Sequence, residues 1–577
     1  MQAHQSEQFD PMRIRAEFPI LQSRNEGRPL VYLDNGATTQ KPRCVIDAIS
    51  KFYQSQNANI HRGVYHLSQM ATEMYDHART SVQEFLHARE SAQIIFTRGT
   101  TEGINLVAAS WGRANLSAGD EIIVSEMEHH ANIVPWQMIA EQTGAKVRVI
   151  PINDAGELVM EEYQKLLSPR TKMVAVTHLS NSLGTINDVE KITQLAHAVG
   201  AKVLIDGAQW VAHHPTNVEK IGCDFYVFSG HKIFGPTGIG VLYGRREILE
   251  AMPPYQGGGD MIESVTFAKT TYAGIPARFE AGTPNIAGAI GLGTAIEFVQ
   301  HLNFSYAAHE EQLLKYATAQ LEKIPSLRIV GTAAKKGGVI SFVMDGISSL
   351  DIGLKLDAMN IAVRTGHHCC QPVMERMHIS GTARASLAMY NTKEEVDALV
   401  EGLRKISDSI RPSSNARPAS EVEWPTAAAS SPQAAADELA EEFDLFEDKT
   451  EKNQYVLDLG DRLQHNFDSL KKIKQRVPGC MAEVYLYGRS APSDPERFEF
   501  IADANADIVR GLIAILQKIY SGQRISEILA FDIEGFFHRI GLDQFITSQR
   551  RNGLAGMIQA IRRQAGALAE SSVTEAR

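Results

Sequence analysis

Residues 202–238, KVLIDGAQWVAHHPTNVEKIGCDFYVFSGHKIFGPTG, contain two apolar runs of strand length, KVLID and DFYVFS, each closed at once by glycine and polar residues. Val, Ile, Leu and Phe dominate both runs, and a helical period separates them. The same rhythm fills residues 90 to 245 through QIIFT, EIIVSE, KVRVIPI and KMVAVTHL. Repeated βα units predict an α/β body with a mostly parallel sheet and helices on both faces. Ligands then gather at the carboxyl ends of the strands.

At 577 residues the chain exceeds one ordinary core, and length alone suggests roughly two to four domains. Apolar content of 44% and charged content of 22% are globular values. A net charge of -11 offers no basic excess to neutralise phosphates, so a nucleic-acid partner is not expected. No run approaches the roughly 18 apolar residues of a membrane span. The N-terminus, MQAHQSEQFDPMRIRAEFPIL, lacks the charged and apolar regions of a signal peptide. Five cysteines, at 44, 223, 369, 370 and 480, are too few and too scattered for a disulfide scaffold. A reducing, cytoplasmic compartment is the expectation.

From about 300 to 408 the pattern changes to a smaller α+β domain, with HEEQLLKYATAQLEKI, GGVISFVM and KEEVDALVEGLRKI. Residues 411–436, RPSSNARPASEVEWPTAAASSPQAAA, have linker composition. A second α+β pattern resumes after them. The expected organisation is an enzyme body over 1–408, a flexible linker over 409–437 and an appended module over 438–577. Within the body, the large domain covers about 30–300, and the N-terminal segment joins about 301–408 as the small domain.

Asp206 ends the run KVLID and Gln209 follows three residues later; Ser229, His231 and Lys232 follow DFYVFS. A carboxylate so placed can hold a pyridine nitrogen protonated, and a lysine at a strand end can form a Schiff base. Together they supply what a pyridoxal phosphate enzyme needs. FTRGTTEGIN leads through Gly99, Thr100 and Thr101 into a helix, aiming free N–H groups and hydroxyls at an anion. SEMEHHANIVPW sets His129 and His130 beyond another strand, where an imidazole can lie on a pyridine ring.

RTGHHCCQP, Arg364 to Pro372, sets two histidines beside two cysteines. Four consecutive residues cannot easily converge on a tetrahedral metal, whose ligands are normally two to four residues apart, so no metal is expected. A disulfide between adjacent cysteines closes a strained ring. An iron and sulfur scaffold using HHCC and Cys480 as ligands would explain neither Asp206 nor Lys232. A redox pair and a nucleophilic thiol on a loop stay open at this point; for the latter, neighbouring Arg364, His367 and His368 make a lowered thiol pKa the expectation.

NIHRGVYHLSQ, RGTTEGINLVA, MEHHANIVPW, HLSNSLGT, DGAQ, FSGHKIFGPTGIG, FEAGTPN, RTGHHC and ARASLAMYN together resemble the Suf-type (group II) cysteine desulfurases, from about residue 9 to 408. The segment after the linker, with VPGC, ADIVRGLIAILQKIYSG and GLDQFITSQRRNGLAGMIQAIR, resembles the SufE-like sulfur acceptors, although Met481 and Ala482 stand where that pattern has polar residues.

The resemblance implies fold type I of the pyridoxal 5'-phosphate enzymes, a homodimer, L-cysteine as substrate and Suf-type iron-sulfur scaffold proteins as sulfur recipients. It implies that Lys232 carries the cofactor, Asp206 holds its ring nitrogen and Gln209 its phenolic oxygen. His129 would stack on the ring and move protons. Thr100, Thr101, Ser229 and His231 would bind the phosphate, and Thr283 would reach that of the other subunit. Asn181 and Arg384 would hold the substrate carboxylate, with Arg364, His61 and Arg62 lining the site. Cys369, on a mobile loop, would take sulfur as a persulfide and hand it to Cys480. Arg510 and Arg550 match acceptor-family arginines. A selenocysteine lyase or an aminotransferase on the same fold is the alternative, since fold alone does not fix chemistry.

Overall fold

The six apolar runs form strands that share one direction in a seven-stranded sheet: β1 (Ile94–Thr97), β2 (Glu121–Ser125), β3 (Lys146–Ile150), β4 (Thr171–Thr177), β5 (Lys202–Asp206) and β6 (Phe225–Ser229). A seventh, β7 (Gly240–Gly244), runs antiparallel between β1 and β6, giving the order β1-β7-β6-β5-β4-β2-β3. The computed structural model describes residues 9–25, 27–409, 424–446, 449–463, 467–472, 475–478, 482–542 and 548–575.

Every residue of β1, β2, β6 and β7 is buried. Covering a strand on both faces requires an unbroken apolar run, which is why these segments do not alternate. Each fully buried Val, Ile or Phe contributes about 1.5–3 kcal/mol. β3 lies at the sheet edge, where Lys146 and Arg148 are exposed, and such charges discourage edge pairing. β7 begins and ends with glycine. A Cβ on Gly240 would stand 2.5 Å from the Cα of Gly99, so the close pass of β7 by the turn after β1 requires glycine.

Helix α1 (His66–Leu86) packs beside this sheet and carries a buried ion pair. Arg79 donates to both oxygens of Glu280 at 2.7 and 2.8 Å, and Glu280 also accepts the Phe96 N–H at 2.7 Å and the Tyr75 hydroxyl at 3.1 Å. The pair fastens FEAGTPN to β1. Removing Arg79 alone would leave a buried carboxylate uncompensated, at a cost of about 3–5 kcal/mol.

A four-stranded sheet follows, from β8 (Leu327–Val330), β9 (Val339–Met344), β10 (Arg364–Gly366) and β11 (Thr382–Ser386), in the order β8-β9-β11-β10. Arg364 and Arg384 sit directly opposite each other on β10 and β11. Helices Ala307–Leu321 and Lys393–Ser409 form where the sequence pattern places them.

By its contacts the chain divides into two compact units, 1–343 with 356–404, and 344–355 with 405–577. In the second, β12 (Val484–Ala491), β13 (Asp494–Ala504) and β14 (Gln523–Arg524) form a sheet, with helices α2 (Pro432–Asp444), α3 (Lys449–Asp461), α4 (Asp507–Tyr520) and α5 (Ser548–Glu575). Ile508, Leu512, Ile515 and Ile519 recur at helical spacing on α4 and are buried. Arg510 is also buried, paired with Asp503 and donating to Leu463 O at 2.6 Å, so it braces the core rather than meeting solvent.

The linker boundary needs correction. Residues 424–437 belong to the second unit, although their composition reads as linker. The Ser431 side chain caps α2 by accepting the Ala434 N–H at 3.2 Å, and Pro432 opens the helix. Ahead of it the Arg489 guanidinium lies 3.8 Å from the Trp424 ring centroid, and Ser521 Oγ donates to Pro425 O at 2.7 Å. Residues 410–423 and Cys480 lie outside the described residues, as does the side chain of Arg550.

Candidate active site

Strand ends assemble the first half of the site. Asp206 closes β5 and is 5% exposed; its Oδ1 accepts the Ala208 N–H at 2.9 Å. Burial raises its pKa, and the positive charge of Lys232 opposes that rise. β6 ends at Ser229, and one 3₁₀ turn, Gly230–Lys232, delivers His231 and Lys232. Burial lowers the pKa of Lys232 while Asp206 works against it, which enriches the free amine a Schiff base requires. Burial, with Lys232 nearby, also takes His231 down to about 4. Gln209 donates to Gly36 O at 2.6 Å.

The helix after β1, Thr100–Val107, meets Ser229 at its first turn. Thr100 N–H donates to Ser229 Oγ at 2.9 Å, and the two hydroxyls are also 2.9 Å apart. Thr101 is exposed beside them. Hydroxyls at a helix start make an anion cradle. His129 Nδ1 accepts the Ala131 N–H at 3.0 Å, and burial followed by the Lys232 charge takes its pKa to about 3. The imidazole is therefore neutral, with its proton on Nε2.

The second half is a loop between β10 and β11. His130 N–H donates to Cys369 O at 2.8 Å, and His130 Nε2 accepts from Gln371 N at 3.1 Å. His367 Nδ1 accepts the Cys369 N–H at 3.1 Å, and His368 Nε2 lies 2.7 Å from Thr382 Oγ1. Asn181 Nδ2 donates to His368 O at 2.8 Å. His368 and Cys369 both take left-handed backbone angles, φ 52° and 56°. A loop expected to be mobile is thus clipped from both sides. Cys369 is half-buried, whereas Cys370 is fully buried and its thiol is pushed up to about 12. His368 departs from expectation too: burial drives its pKa well below the ordinary value, so it brings no positive charge to the neighbouring thiol.

Arg384, 2% exposed, donates to Asn181 O at 2.8 Å and to Asp34 Oδ1 at 3.2 Å. Its Nε is buried without a hydrogen-bond partner. Arg364 is exposed, 3.9 Å from Asp34. Thr283, His61 and Arg62 stand at the surface, with Arg62 3.1 Å from Asp260. Sequence reasoning missed Asp34, Glu128 and His178. Glu128 is fully buried and accepts from Ser125 Oγ, Asn132 Nδ2 and Thr177 N at 2.5–2.9 Å, bracing the turn that carries His129. His178 stacks on Trp210 at 3.7 Å, and its N–H donates to Asp206 O at 2.8 Å. The only signal for Glu128 is its place in MEHH.

Among the described residues no group of three or more His, Cys, Asp or Glu could hold a metal ion. A buried carboxylate, a lysine of lowered pKa, a neutral imidazole and an anion cradle do fit a phosphorylated pyridine aldehyde. Residues 31–399 match the family model described as Aminotransferase class-V. The chain belongs to that family. Residues 437–565 match SufE, the Fe-S metabolism associated domain.

Among class-V relatives, a cysteine desulfurase of Synechococcus elongatus is 54% identical over 399 residues, 69% of this chain. The chain spans 64% of that relative's length. A cysteine desulfurase of Enterobacter sp. is 52% identical over 400 residues, covering 69% of this chain and 98% of the relative. The solved structure of the cysteine desulfurase CsdA from Escherichia coli, in an S-sulfonic acid form, superposes with a TM-score of 0.66 at 41% identity. It covers 70% of this chain and all of that one. No helix among the described residues is long and apolar enough to cross a membrane.

Proposed function

We propose that this class-V chain is a cysteine desulfurase of the Suf type, converting L-cysteine to L-alanine and passing the sulfur through its own second unit toward iron-sulfur cluster assembly. One observation carries the reading. The half-buried Lys232 follows the strand next to the one that Asp206 ends, and the half-buried Cys369 is tied through its carbonyl to the N–H of His130, beside His129, while Cys370 is fully buried.

Lys232 would hold pyridoxal 5'-phosphate, with Asp206 at its ring nitrogen, Gln209 at its phenolic oxygen and His129 against its face. Thr100, Thr101, Ser229 and His231 would hold the phosphate. When bound, this group supplies an electron sink that lets the Cα–H and Cβ–S bonds of cysteine break. Arg384 and Asn181 orient the substrate carboxylate, and Arg364, His61 and Arg62 line the approach. Lys232 and His129 hold or move protons at Cα. The Cys369 thiolate takes the substrate sulfur: the new S–S bond forms as Cβ–S breaks, and protonation at Cβ leaves alanine. Cys480 then attacks the outer sulfur, restoring the Cys369 thiolate.

The chain would act as a homodimer, with Thr283 serving the partner's phosphate. Exposed Val64, Tyr65 and Leu67, close in sequence to His61 and Arg62, favour pairing. The free thiols Cys44, Cys223, Cys369 and Cys370 suit a reducing, cytoplasmic setting. Incubation of the loaded protein with cysteine and a small thiol should release alanine and sulfide in equal amounts. Pyruvate-type keto acid in place of alanine, or reaction with selenocysteine alone, would contradict the reading.

A further inference from the structure

Cys370 has no part in that chemistry. It is fully buried, yet it sits one residue from the accessible thiol and against Asn181. Its Sγ–H donates to Asn181 Oδ1 at 3.1 Å, while the other end of the same amide donates from Nδ2 to His368 O at 2.8 Å. An amide has two ends of nearly equal shape, so its neighbours decide which end faces where. A thiol that stays protonated is a donor and selects the oxygen. Reversing the amide would set Oδ1 against the His368 carbonyl and replace the S–H donation to oxygen by a weaker N–H contact to sulfur, losing two hydrogen bonds for one repulsion and one poor bond.

We infer that Cys370 is a positioning residue whose thiol fixes the polarity of the Asn181 amide. The nitrogen end then faces the loop, and through His368 O it holds the left-handed turn that presents Cys369. The burial that raises the Cys370 thiol to about 12 keeps the donor in place across working pH. The backbone oxygen of Asn181 is held independently by Arg384 at 2.8 Å. The amide is therefore the adjustable element between the loop and the arginine. A further consequence rests on the proposed desulfurase reading: the same amide would hold the substrate carboxylate with Arg384, so a change in its polarity would be read in KM.

The test uses the full-length, cofactor-loaded protein with two variants. In C370A the donor is lost; in C370S an O–H donor remains. Mass-spectrometric timing of iodoacetamide addition to Cys369, without substrate, reads the loop directly and does not depend on turnover. C370A should change that rate by about three- to tenfold, the loss expected for one hydrogen bond, and should raise KM for cysteine more than it lowers kcat. C370S should bring both back within about twofold of the parent. Rates within twofold of the parent in C370A, or no recovery in C370S, would overturn the inference. So would persulfide on Cys370 of the parent after brief exposure to cysteine. Should C370A fail to fold, the parent decides alone: Cys370 must stay unlabelled at pH 9 while Cys369 reacts. If the alkylation result holds while no alanine forms, the positioning role stands and the desulfurase reading falls.

Discussion

The Asp206 and Lys232 half of the site and the Cys369 half are held by different kinds of bond. Asp206 and Ser229 end neighbouring strands, β5 and β6, whose main-chain ladder sets their separation. The Cys369 loop leaves a strand of only three residues, Arg364–Gly366, and beyond the one main-chain bond from His130 N–H to Cys369 O it is fixed by side chains of His130, Asn181 and Thr382. A ladder of backbone bonds survives side-chain substitution, whereas a clip made by one side chain does not. Changes in the first half should therefore alter chemistry without moving the frame. Changes around the loop should move the nucleophile and leave the chemistry intact.

Lys232→Ala should break this comparison most severely. Turnover falls by about 10³-fold or more, because no other amine replaces the covalent partner. The visible absorbance of lysine-bound cofactor disappears while circular dichroism is unchanged. Asp206→Asn should lower kcat by roughly 10²-fold, since the ring nitrogen loses its anionic partner, with KM for cysteine nearly constant. A comparable rise in KM would place Asp206 in substrate binding instead.

The loop should respond differently. Thr382→Val removes the partner of His368 Nε2 and should slow single-turnover alanine release by about three- to tenfold, with cofactor absorbance retained. Loss of cofactor in that variant would mean that the two halves are not separately held.

The Asp206 half was the legible one. Runs such as KVLID and DFYVFS declare buried strands, and residues at their ends fall into one site whatever the connecting helices do. GVLYG has only three apolar side chains between its terminal glycines, so β7 passed unmarked. The clips on Cys369 were not legible: Asn181 and His130 are 187 and 241 residues from their loop partners, and no local pattern encodes such pairs. Nor did a polar neighbourhood give away the burial that silences the charge of His368. The first turns of α2, residues 432–437, were legible as helix and were read as linker. Ala435, Ala436, Leu439, Ala440 and Phe443 recur at helical spacing behind Ser431 and Pro432, but their Ala-rich composition imitates a linker.

Acid should act on stability rather than on rate, and its effect falls on the Asp206 half. Burial takes His178 to about 3, below the ordinary imidazole value, so the unfolded chain binds its proton more readily. Stability from this residue is complete above about pH 6.5 and declines as pH falls toward 3. At pH 5 the loss is about 2 kcal/mol. His178→Gln should flatten the fall in thermal midpoint between pH 7 and 5, followed by cofactor absorbance. An unchanged slope would remove His178 from the account.

The most direct test is to expose the full-length protein to cysteine for seconds, quench, and locate persulfide by mass spectrometry on each of the five cysteines. The account predicts sulfur first on Cys369, then on Cys480, and none on Cys370. First appearance on Cys370, or labelling of Cys480 in a Cys369→Ser variant, would contradict it.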